Sequence, residues 1–436
     1  MRSGVASSGA GSTGCETPWA IVWCEGHRFL VTISRFDGQR ARPLSRPLAE
    51  PPLSAQSSPR TGLRPAPRFY KPELDVLRFF AFLLVFVHHV IPNQATDYVA
   101  KFGPTLAEWV ASVGRAGAIG VDLFFALSSY LITELLLREA EFSGALDVKA
   151  FYIRRILRIW PLYFFFLVLS ATLVPRVLPG DRLPGEYLVM FLFLLGNWMC
   201  ALRGYPASSA APLWSVSMEE QFYLAWPLVL RFTGARKLGS LCVGMLIVAI
   251  VYRLGLVALG LDPPATWCMT FSRLDPIAAG ALLAVWLRRR PFEVGFAART
   301  GCIIAGFVCW LLVARYLRIN APPSLAMALL GYPGIAVGAV LILFAFTSPW
   351  KSTAPRALRL PALIYLGRIS YGLYVYHLLS LSLVSRMISP FARRHFFPIQ
   401  FLGGLAVTIL LSALSYHLLE QPFLRLKARF THVPSR

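Results

Sequence analysis

The segment Leu74–Val90, LDVLRFFAFLLVFVHHV, decides how the rest of the chain is interpreted. It is almost wholly apolar, and its length is that of a helix that crosses the hydrocarbon core of a bilayer. Yet it contains Asp75, Arg78, His88 and His89. An ionisable side chain within a membrane helix costs roughly 3 kcal/mol on insertion scales, so such residues usually serve a function. The segment therefore predicts a membrane helix with a functional site.

Arg78 and His89 are eleven residues apart. At about 3.6 residues per turn this spacing is three turns, so both side chains lie on one face of the helix, roughly 16 Å apart. One residue is then near a membrane surface and the other is well toward the opposite side. This arrangement predicts a site that extends through the membrane, which a simple anchor would not need.

The composition predicts an all-α fold, a polytopic bundle of transmembrane helices. Hydrophobic residues make up 56% of the 436 positions and charged residues 15%, against about 25% charged in soluble domains. The apolar residues occur in runs long enough to span a bilayer. The candidate spans are residues 74–92, 118–137, 159–177, 213–230, 240–258, 273–287, 301–317, 332–347, 363–388 and 399–419.

The distribution of basic residues predicts the orientation. The net charge is +22, but the basic residues cluster in short loops, which indicates cytoplasmic loops and argues against nucleic acid as a partner. If the ambiguous stretch 187–199 crossed fully, the basic loops at 236–237 and 288–290 would be placed outside. We therefore predict ten crossings, a re-entrant or interfacial helix at 187–199, and both termini in the cytoplasm of a bacterial-type inner membrane.

The two ends of the chain differ from this membrane part. Residues 1–68 are rich in Ser, Pro, Gly and Arg, which predicts a disordered basic tail or an overextended gene start, although its arginines could also contact a membrane surface. The membrane domain is expected at 69–425 and a cytoplasmic tail at 426–436. Seven scattered cysteines without a C-x-x-C pair predict neither a disulfide framework nor a metal site.

Further polar motifs lie at or near membrane depth. They read GVDLFFALSSYLIT, FYIRRILRIWPLYF, LWSVSMEEQFYLAWPL, LGRISYGLYVYHLL and LEQPF. Together with the opening helix they resemble, in the same order, the six motifs of acyltransferase family 3, a family of integral-membrane O-acyltransferases. Val76 and Ser129 stand where the family usually has glycine, so the sequence does not predict how the helices pack at these two positions.

The resemblance implies transfer of an acyl group, often acetyl from acetyl-CoA, to a hydroxyl of a carbohydrate. Acyl-CoA would be a co-substrate and no cofactor would be bound. The expected partners are acyl-CoA, membrane lipids, and a glycan or lipid-linked sugar as acceptor. The alternative is a polytopic transporter, since buried charges and a re-entrant segment also occur in that class. The span pattern, however, lacks inverted-repeat symmetry.

The resemblance implies that His89 is the catalytic residue. An imidazole, with an unperturbed pKa of about 6.5, can take a proton from an acceptor hydroxyl, or it could carry the acyl group itself. The alternative is a packed histidine bonded to a neighbour. His88 faces about 100° away from His89 and is expected to be structural.

Arginines after the second span are candidate ligands of the donor. Arg154, Arg155 and Arg158 could hold the phosphates of CoA, for which the planar guanidinium is suited, or simply be inside-positive charges. Arg78 is a further candidate near the same surface.

The carboxylates are harder to assign from sequence. Glu219 and Glu220 are adjacent and face different directions, and the family motif falls on Glu219. Asp122 and Ser128 belong to the second motif and are candidate substrate contacts. Asp75 and Asp122 could equally neutralise Arg78 or Arg115.

A late helix carries Tyr371, Tyr374 and His377 at a spacing of three residues, so they share a face. Their rings and hydroxyls would suit a sugar acceptor, although an interfacial aromatic belt explains the tyrosines equally well. Arg273 and Asp275, in FSRLDPIAAG, are expected to form a structural ion pair.

Overall fold

The computed structural model describes residues 19–24, 27–32, 69–261, 263–317, 324–351, 355–388 and 396–430. The chain divides into two compact units, Met1–Leu63 and Arg64–Arg436. In the first unit, β1 (Trp19–Cys24) and β2 (His27–Thr32) form an antiparallel hairpin with Trp19 opposite Thr32. This hairpin lies in the segment expected to be disordered. The rest of that segment is outside the described residues, so its disorder stays a prediction.

The regular secondary structure that is described in the second unit is helical. Its helices, in chain order, are α1 (Pro72–Val90), α2 (Val99–Gly117), α3 (Gly120–Ser143), α4 (Val148–Thr172), α5 (Val174–Val177), α6 (Gly185–Leu192), α7 (Gly196–Arg203), α8 (Leu213–Ala258), α9 (Pro263–Cys268), α10 (Leu274–Arg289), α11 (Phe296–Leu312), α12 (Tyr332–Thr347), α13 (Pro361–Arg368), α14 (Ser370–Ile388), α15 (Phe396–Ser415) and α16 (Gln421–Lys427). Short 3-10 segments are Ala95–Asp97, Phe271–Arg273, Arg356–Arg359 and Ala428–Phe430, and π-helical segments are Val313–Leu317, Met327–Gly331 and Tyr416–Glu420.

Six helical segments are long and apolar enough to cross a bilayer, which supports a multi-pass membrane protein. They are Val99–Ser143, Val148–Val177, Arg236–Ala258, Phe296–Leu317, Met327–Thr347 and Pro398–Phe430. Each contains most or all of one predicted span. The other four predicted spans are also helical, but α1 carries three charged residues near its start and α10 has only 16 residues. The count of ten crossings therefore stays a prediction.

The ambiguous stretch 187–199 does not form one continuous helix. It is divided between α6 and α7, which have 8 residues each and are separated by a backbone break at Leu194, where φ is 58°. A helix of this length extends about 12 Å, far less than the roughly 30 Å core of a bilayer. This geometry supports the predicted partial helix.

Helix α8 contains two of the predicted spans on either side of a kink. Gly234 in the kink has φ 66° and ψ 166°, a conformation that glycine adopts without the strain of a side chain. The kink separates the predicted spans 213–230 and 240–258, as the sequence indicates.

Close backbone contacts position the helices around the site. A Cβ atom on Gly280 of α10 would lie 2.1 Å from the carbonyl oxygen of Ala126 in α3. A Cβ on Gly367 of α13 would lie 1.9 Å from that of Asp75 in α1. Small residues let helix backbones approach in membrane proteins, so these glycines set the positions of α1, α3 and α10.

Two buried ion pairs connect the same part of the bundle. Arg273 contacts Asp122 of α3, and Arg253 of α8 contacts Asp275 of α10, with all four side chains at most 2% exposed. The expected pairing of Arg273 with Asp275 is therefore wrong, because residues two apart on a helical backbone do not face each other.

One of the partners predicted for Arg78 and Arg115 is confirmed and the others are not. Arg78 pairs with Asp75 at 2.7 Å, as one alternative predicted. Arg115 pairs with Glu108 at 2.9 Å, so neither Asp75 nor Asp122 neutralises it. Glu108 lies seven residues before Arg115, two turns along the same helix, which brings the two side chains together.

We predict that Gly280→Ala destabilises the protein. The added methyl group would overlap the α3 backbone, and overpacking of this kind typically costs about 1–3 kcal/mol of unfolding free energy. Thermal unfolding of the purified protein in detergent measures the effect. Gly244→Ala is the matched control, because a Cβ there meets nothing within 4 Å. Equal melting temperatures for the two variants would contradict the close packing of α3 and α10.

Candidate active site

A strongly basic cavity lies among α1, α3, α4, α8 and α14. We call it the arginine cavity. Its charged lining consists of five cations and two carboxylates, namely Lys71, Arg78, Arg155, Arg158, Lys427, Asp75 and Glu219. The cavity has an empty volume of about 1220 Å³, which includes space open to solvent. An excess of cations around such a space favours an anionic ligand.

Arg78 is held in this cavity by its own helix. Its Nη1 donates to Asp75 Oδ1 at 2.7 Å, and the Tyr70 hydroxyl donates to Asp75 Oδ2 at 3.0 Å. Asp75 is buried, whereas the Arg78 side chain remains 21% exposed. The pair lowers the cost of placing Arg78 in the bundle, where the partly exposed side chain lines the cavity.

The three arginines of α4 have different surroundings. Arg155 and Arg158 line the arginine cavity. The guanidinium of Arg155 lies 5.4 Å from the ring centroids of both Phe151 and Tyr223. Arg154 instead donates to Glu139 Oε2 at 2.7 Å and to the carbonyl oxygen of Phe430 at 2.8 Å, and it does not line the cavity. The structure therefore brings two of the three predicted donor contacts together.

Glu219 and Glu220, which are adjacent in sequence, also have different surroundings. Glu219 lines the arginine cavity and accepts a 2.9 Å hydrogen bond from the Tyr223 hydroxyl. Glu220 is 3% exposed, lies outside the cavity lining, and accepts from Trp160 Nε1 at 2.8 Å. Of the two adjacent glutamates, Glu219 is therefore the one that lines the arginine cavity.

A second cavity contains the histidine of the opening helix. This histidine cavity is lined by His88, His89, Val121, Trp214, Trp267 and Tyr374, among others. His89 is an exposed residue, and its Nδ1 lies 2.9 Å from the carbonyl oxygen of Val85. A carbonyl oxygen only accepts, so Nδ1 carries the proton and Nε2 is the nitrogen that can take another. His88 Nδ1 makes the same kind of contact with Gly114, at 2.9 Å.

The two cavities meet at a common wall. Tyr374 and Val121 line both. The Tyr374 hydroxyl lies 2.7 Å from Ser215 Oγ and 3.2 Å from the carbonyl oxygen of Pro212. These contacts hold the phenol ring between the arginine cavity and the histidine cavity.

The residues that were expected to share one face of α14 have different surroundings. Tyr371 lines the arginine cavity and donates to the carbonyl oxygen of Ile159 at 3.1 Å. His377 is fully buried and lines neither cavity, with Nδ1 2.6 Å from the Tyr374 carbonyl oxygen. Its ring centroid is 4.9 Å from that of His89. His377 therefore packs against the ring of His89 and faces neither cavity.

The remaining predicted residues are placed as follows. Ser128 lines the arginine cavity. Asp122 is completely buried against Arg273 and lines neither cavity, so its predicted substrate contact has no support in the geometry. Sequence reasoning missed Lys71, Tyr223 and Lys427. Lys427 belongs to the basic RLKAR segment, whose charge signalled its side of the membrane but not its position in a cavity.

The described residues contain no group of three or more His, Cys, Asp or Glu side chains that could hold a metal ion. Cys200, Cys242, Cys268, Cys302 and Cys309 are free thiols.

Comparison with known proteins identifies the family. The family model described as an acyltransferase domain, that of acyltransferase family 3, matches residues 71–417. The chain belongs to this acyltransferase family, as its motifs indicate.

Three proteins with similar sequences extend the comparison. The chain is 27% identical over 379 residues to the peptidoglycan O-acetyltransferase OatA of Listeria monocytogenes, a match that covers 81% of this chain and 56% of that protein. It is 29% identical to a putative peptidoglycan O-acetyltransferase of Bacillus subtilis, covering 81% and 55%. A putative O-acetyltransferase of Staphylococcus aureus is 26% identical, with 81% and 57% covered. The chain thus spans little more than half the length of these relatives. No solved structure matches it.

We predict that Glu219→Gln lowers acyltransferase activity by roughly 10- to 100-fold, because it replaces the charged acceptor of the Tyr223 hydroxyl by a neutral one and removes a negative charge that balances the cations of the arginine cavity. Glu220→Gln is the matched control, because a glutamine oxygen can still accept from Trp160. This variant should stay within about tenfold of wild type. Initial rates of acyl transfer by purified variants measure both. A larger loss for Glu220→Gln would contradict the assignment of Glu219.

Proposed function

We propose that this protein transfers an acetyl group from acetyl-CoA to a hydroxyl of a cell-wall glycan, and that peptidoglycan is the acceptor. The observation that carries the proposal is the junction at Tyr374, where a cavity lined by cations adjoins a cavity that contains His89. The names of the relatives support acetyl as the acyl group and peptidoglycan as the acceptor.

The arginine cavity would hold the donor. CoA carries several phosphates, and guanidinium groups bind phosphate through charge-assisted hydrogen bonds. Arg155, Arg158 and Lys427 supply this charge from two helices. Glu219 would repel the same phosphates, so we place the phosphates at these three cations and the thioester deeper, toward Tyr374.

The distribution of basic residues supports an orientation of the protein in the membrane. A neighbouring cavity shares Lys71 with the arginine cavity and is lined by Arg138, Arg236, Arg288 and Arg289. Basic residues of short loops are enriched on the cytoplasmic side. We therefore place the arginine cavity and both termini in the cytoplasm, where acyl-CoA is found, and the histidine cavity toward the outer face.

His89 would act as the general base. Its Nε2 takes the proton of the acceptor hydroxyl while that oxygen attacks the thioester carbonyl carbon. The carbon–sulfur bond then breaks, and the CoA thiolate leaves and takes the proton back from His89. The acetyl group would reach this position past Tyr374 and Val121, which line both cavities. The alternative expectation of a transporter has no support from the comparisons, since the chain belongs to an acyltransferase family.

We predict that His89→Ala abolishes O-acetylation. The variant lacks the group that accepts the hydroxyl proton, a loss of about 100- to 10,000-fold. The measurement is the amount of base-labile acetate released from purified peptidoglycan of cells that depend on this protein. His88→Ala is the matched control and should keep most of the ester. Undiminished ester in cells with well-folded His89→Ala protein would overturn the proposed role.

A separate prediction concerns the binding of the donor, acetyl-CoA. Arg155→Ala and Arg158→Ala should each raise the KM for acetyl-CoA by roughly 10- to 100-fold, the value of a hydrogen bond to a charged group. Arg154→Ala is the control of equal charge. It breaks contacts with Glu139 and Phe430, so it should lower the melting temperature and leave the KM within a few-fold. An equal rise in KM for all three variants would indicate a general charge effect.

A further inference from the structure

A second basic cavity lies beside the arginine cavity, with which it shares Phe69 and Lys71. Neither Arg155 nor Arg158 lines it, so it is a different space from the proposed donor site. An excess of positive charge in its lining favours an anionic ligand. The charged lining consists of five cations and two carboxylates, namely Lys71, Arg138, Arg236, Arg288, Arg289, Glu134 and Glu141.

Ion pairs within this lining involve two of its arginines. Glu134 accepts from Arg138 Nε at 2.6 Å and from Arg288 Nη1 at 2.9 Å, and Glu141 accepts from Arg288 Nη2. These bonds join α3 to α10. Both carboxylates of the second basic cavity therefore already have arginine partners.

Arg236 and Arg289 are the cations that face no such partner. Arg236 lies on α8 just after the kink, Arg289 is the last residue of α10, and both side chains are exposed. Among the residues that the structure describes, neither side chain forms an ion pair or a hydrogen bond. Guanidinium groups bind phosphate through charge-assisted hydrogen bonds. Two of them, from different helices, are thus available to an anion in one cavity.

The ends of the apolar segments place this cavity at a membrane surface. Three of the segments that are long and apolar enough to cross a bilayer have one end here, namely Val99–Ser143, Arg236–Ala258 and Met327–Thr347. Glu141, Arg236 and Thr347, at or near these ends, all line the cavity. The anions at this depth of a bilayer are the phosphates of its lipids.

An exposed apolar stripe on α8 continues from Arg236 along the membrane segment. Val243, Ile247 and Val251 are exposed and recur every four residues, so they follow one side of the helix. Arg236 precedes Val243 by seven residues, about two turns, so it lies on the same side. From Arg236 to Val251 this side extends about 22 Å, enough to cover the roughly 15 Å apolar depth of one leaflet. One face of α8 thus presents a cation to a headgroup and apolar side chains to an acyl chain.

We propose that the second basic cavity binds the phosphate of an anionic phospholipid through Arg236 and Arg289, with an acyl chain along the exposed stripe of α8. Basic cavities between membrane helices bind anionic lipid headgroups. A zwitterionic lipid would bring its own ammonium group close to these arginines, so a headgroup with net negative charge is favoured. The proposal goes beyond acyl transfer and does not depend on the identity of the donor or the acceptor.

The test measures lipid binding through the thermal stability of the purified full-length protein in a non-ionic detergent. A ligand that binds the folded state raises the melting temperature. Phosphatidylglycerol should raise it, and phosphatidylcholine with the same acyl chains should not do so at the same concentration. In a variant that combines Arg236→Gln and Arg289→Gln, the phosphatidylglycerol concentration for half of the full rise should increase roughly 10- to 100-fold.

The matched control combines Lys237→Gln and Arg290→Gln. It removes the same charge from exposed residues that adjoin Arg236 and Arg289 in sequence but do not line the cavity. This variant should respond to phosphatidylglycerol as wild type does. Without lipid, both double variants should melt close to wild type, because surface substitutions of this kind change stability little.

The other outcomes overturn the proposal. An equal shift in both double variants would indicate attraction to surface charge in general, and an equal rise with phosphatidylcholine would remove the preference for an anionic headgroup. Inorganic phosphate that gives the same rise would assign the cavity to a soluble anion. Acetyl-CoA that stabilises wild type but not the variant of Arg236 and Arg289 would assign it to the donor.

Discussion

The cost of placing a charge among apolar helices is the constraint on which the rest of this structure depends. A charge within the bundle is tolerated when an opposite charge or hydrogen-bonding groups compensate the loss of water. The Arg273–Asp122 and Arg253–Asp275 pairs meet this requirement and hold α3, α8 and α10 together. Removing one partner of such a pair would leave an uncompensated buried charge. These pairs therefore make the framework rigid around the site without taking part in it.

The same constraint separates structural charges from functional ones. Arg154 and Glu220 are satisfied by neighbouring groups and lie outside the cavities. Arg155, Arg158 and Glu219 line the arginine cavity, where a ligand can contact them. His89 likewise has one nitrogen fixed by Val85 and the other available for chemistry. Adjacent residues on a helix point about 100° apart, so Arg154 and Arg155, and likewise Glu219 and Glu220, have different surroundings.

Much of the fold and part of the site could be predicted from the sequence. Apolar runs located the helices, because span length is set by bilayer thickness, and the spacing of Arg78 and His89 placed them on one face. The sequence could not separate Arg154 from Arg155, because that choice depends on Glu139 in another helix. It could not foresee the partners of Arg273 and Asp275 either, since these are set by helix packing.

The central claim is that an acetyl group passes from the arginine cavity to His89 and so crosses the membrane. The most direct measurement uses the full-length protein in sealed lipid vesicles, with labelled acetyl-CoA inside and glycan fragments outside. Labelled glycan is expected outside with wild-type protein and none with His89→Ala. Label that appears only when the donor and the acceptor are on the same side would contradict it.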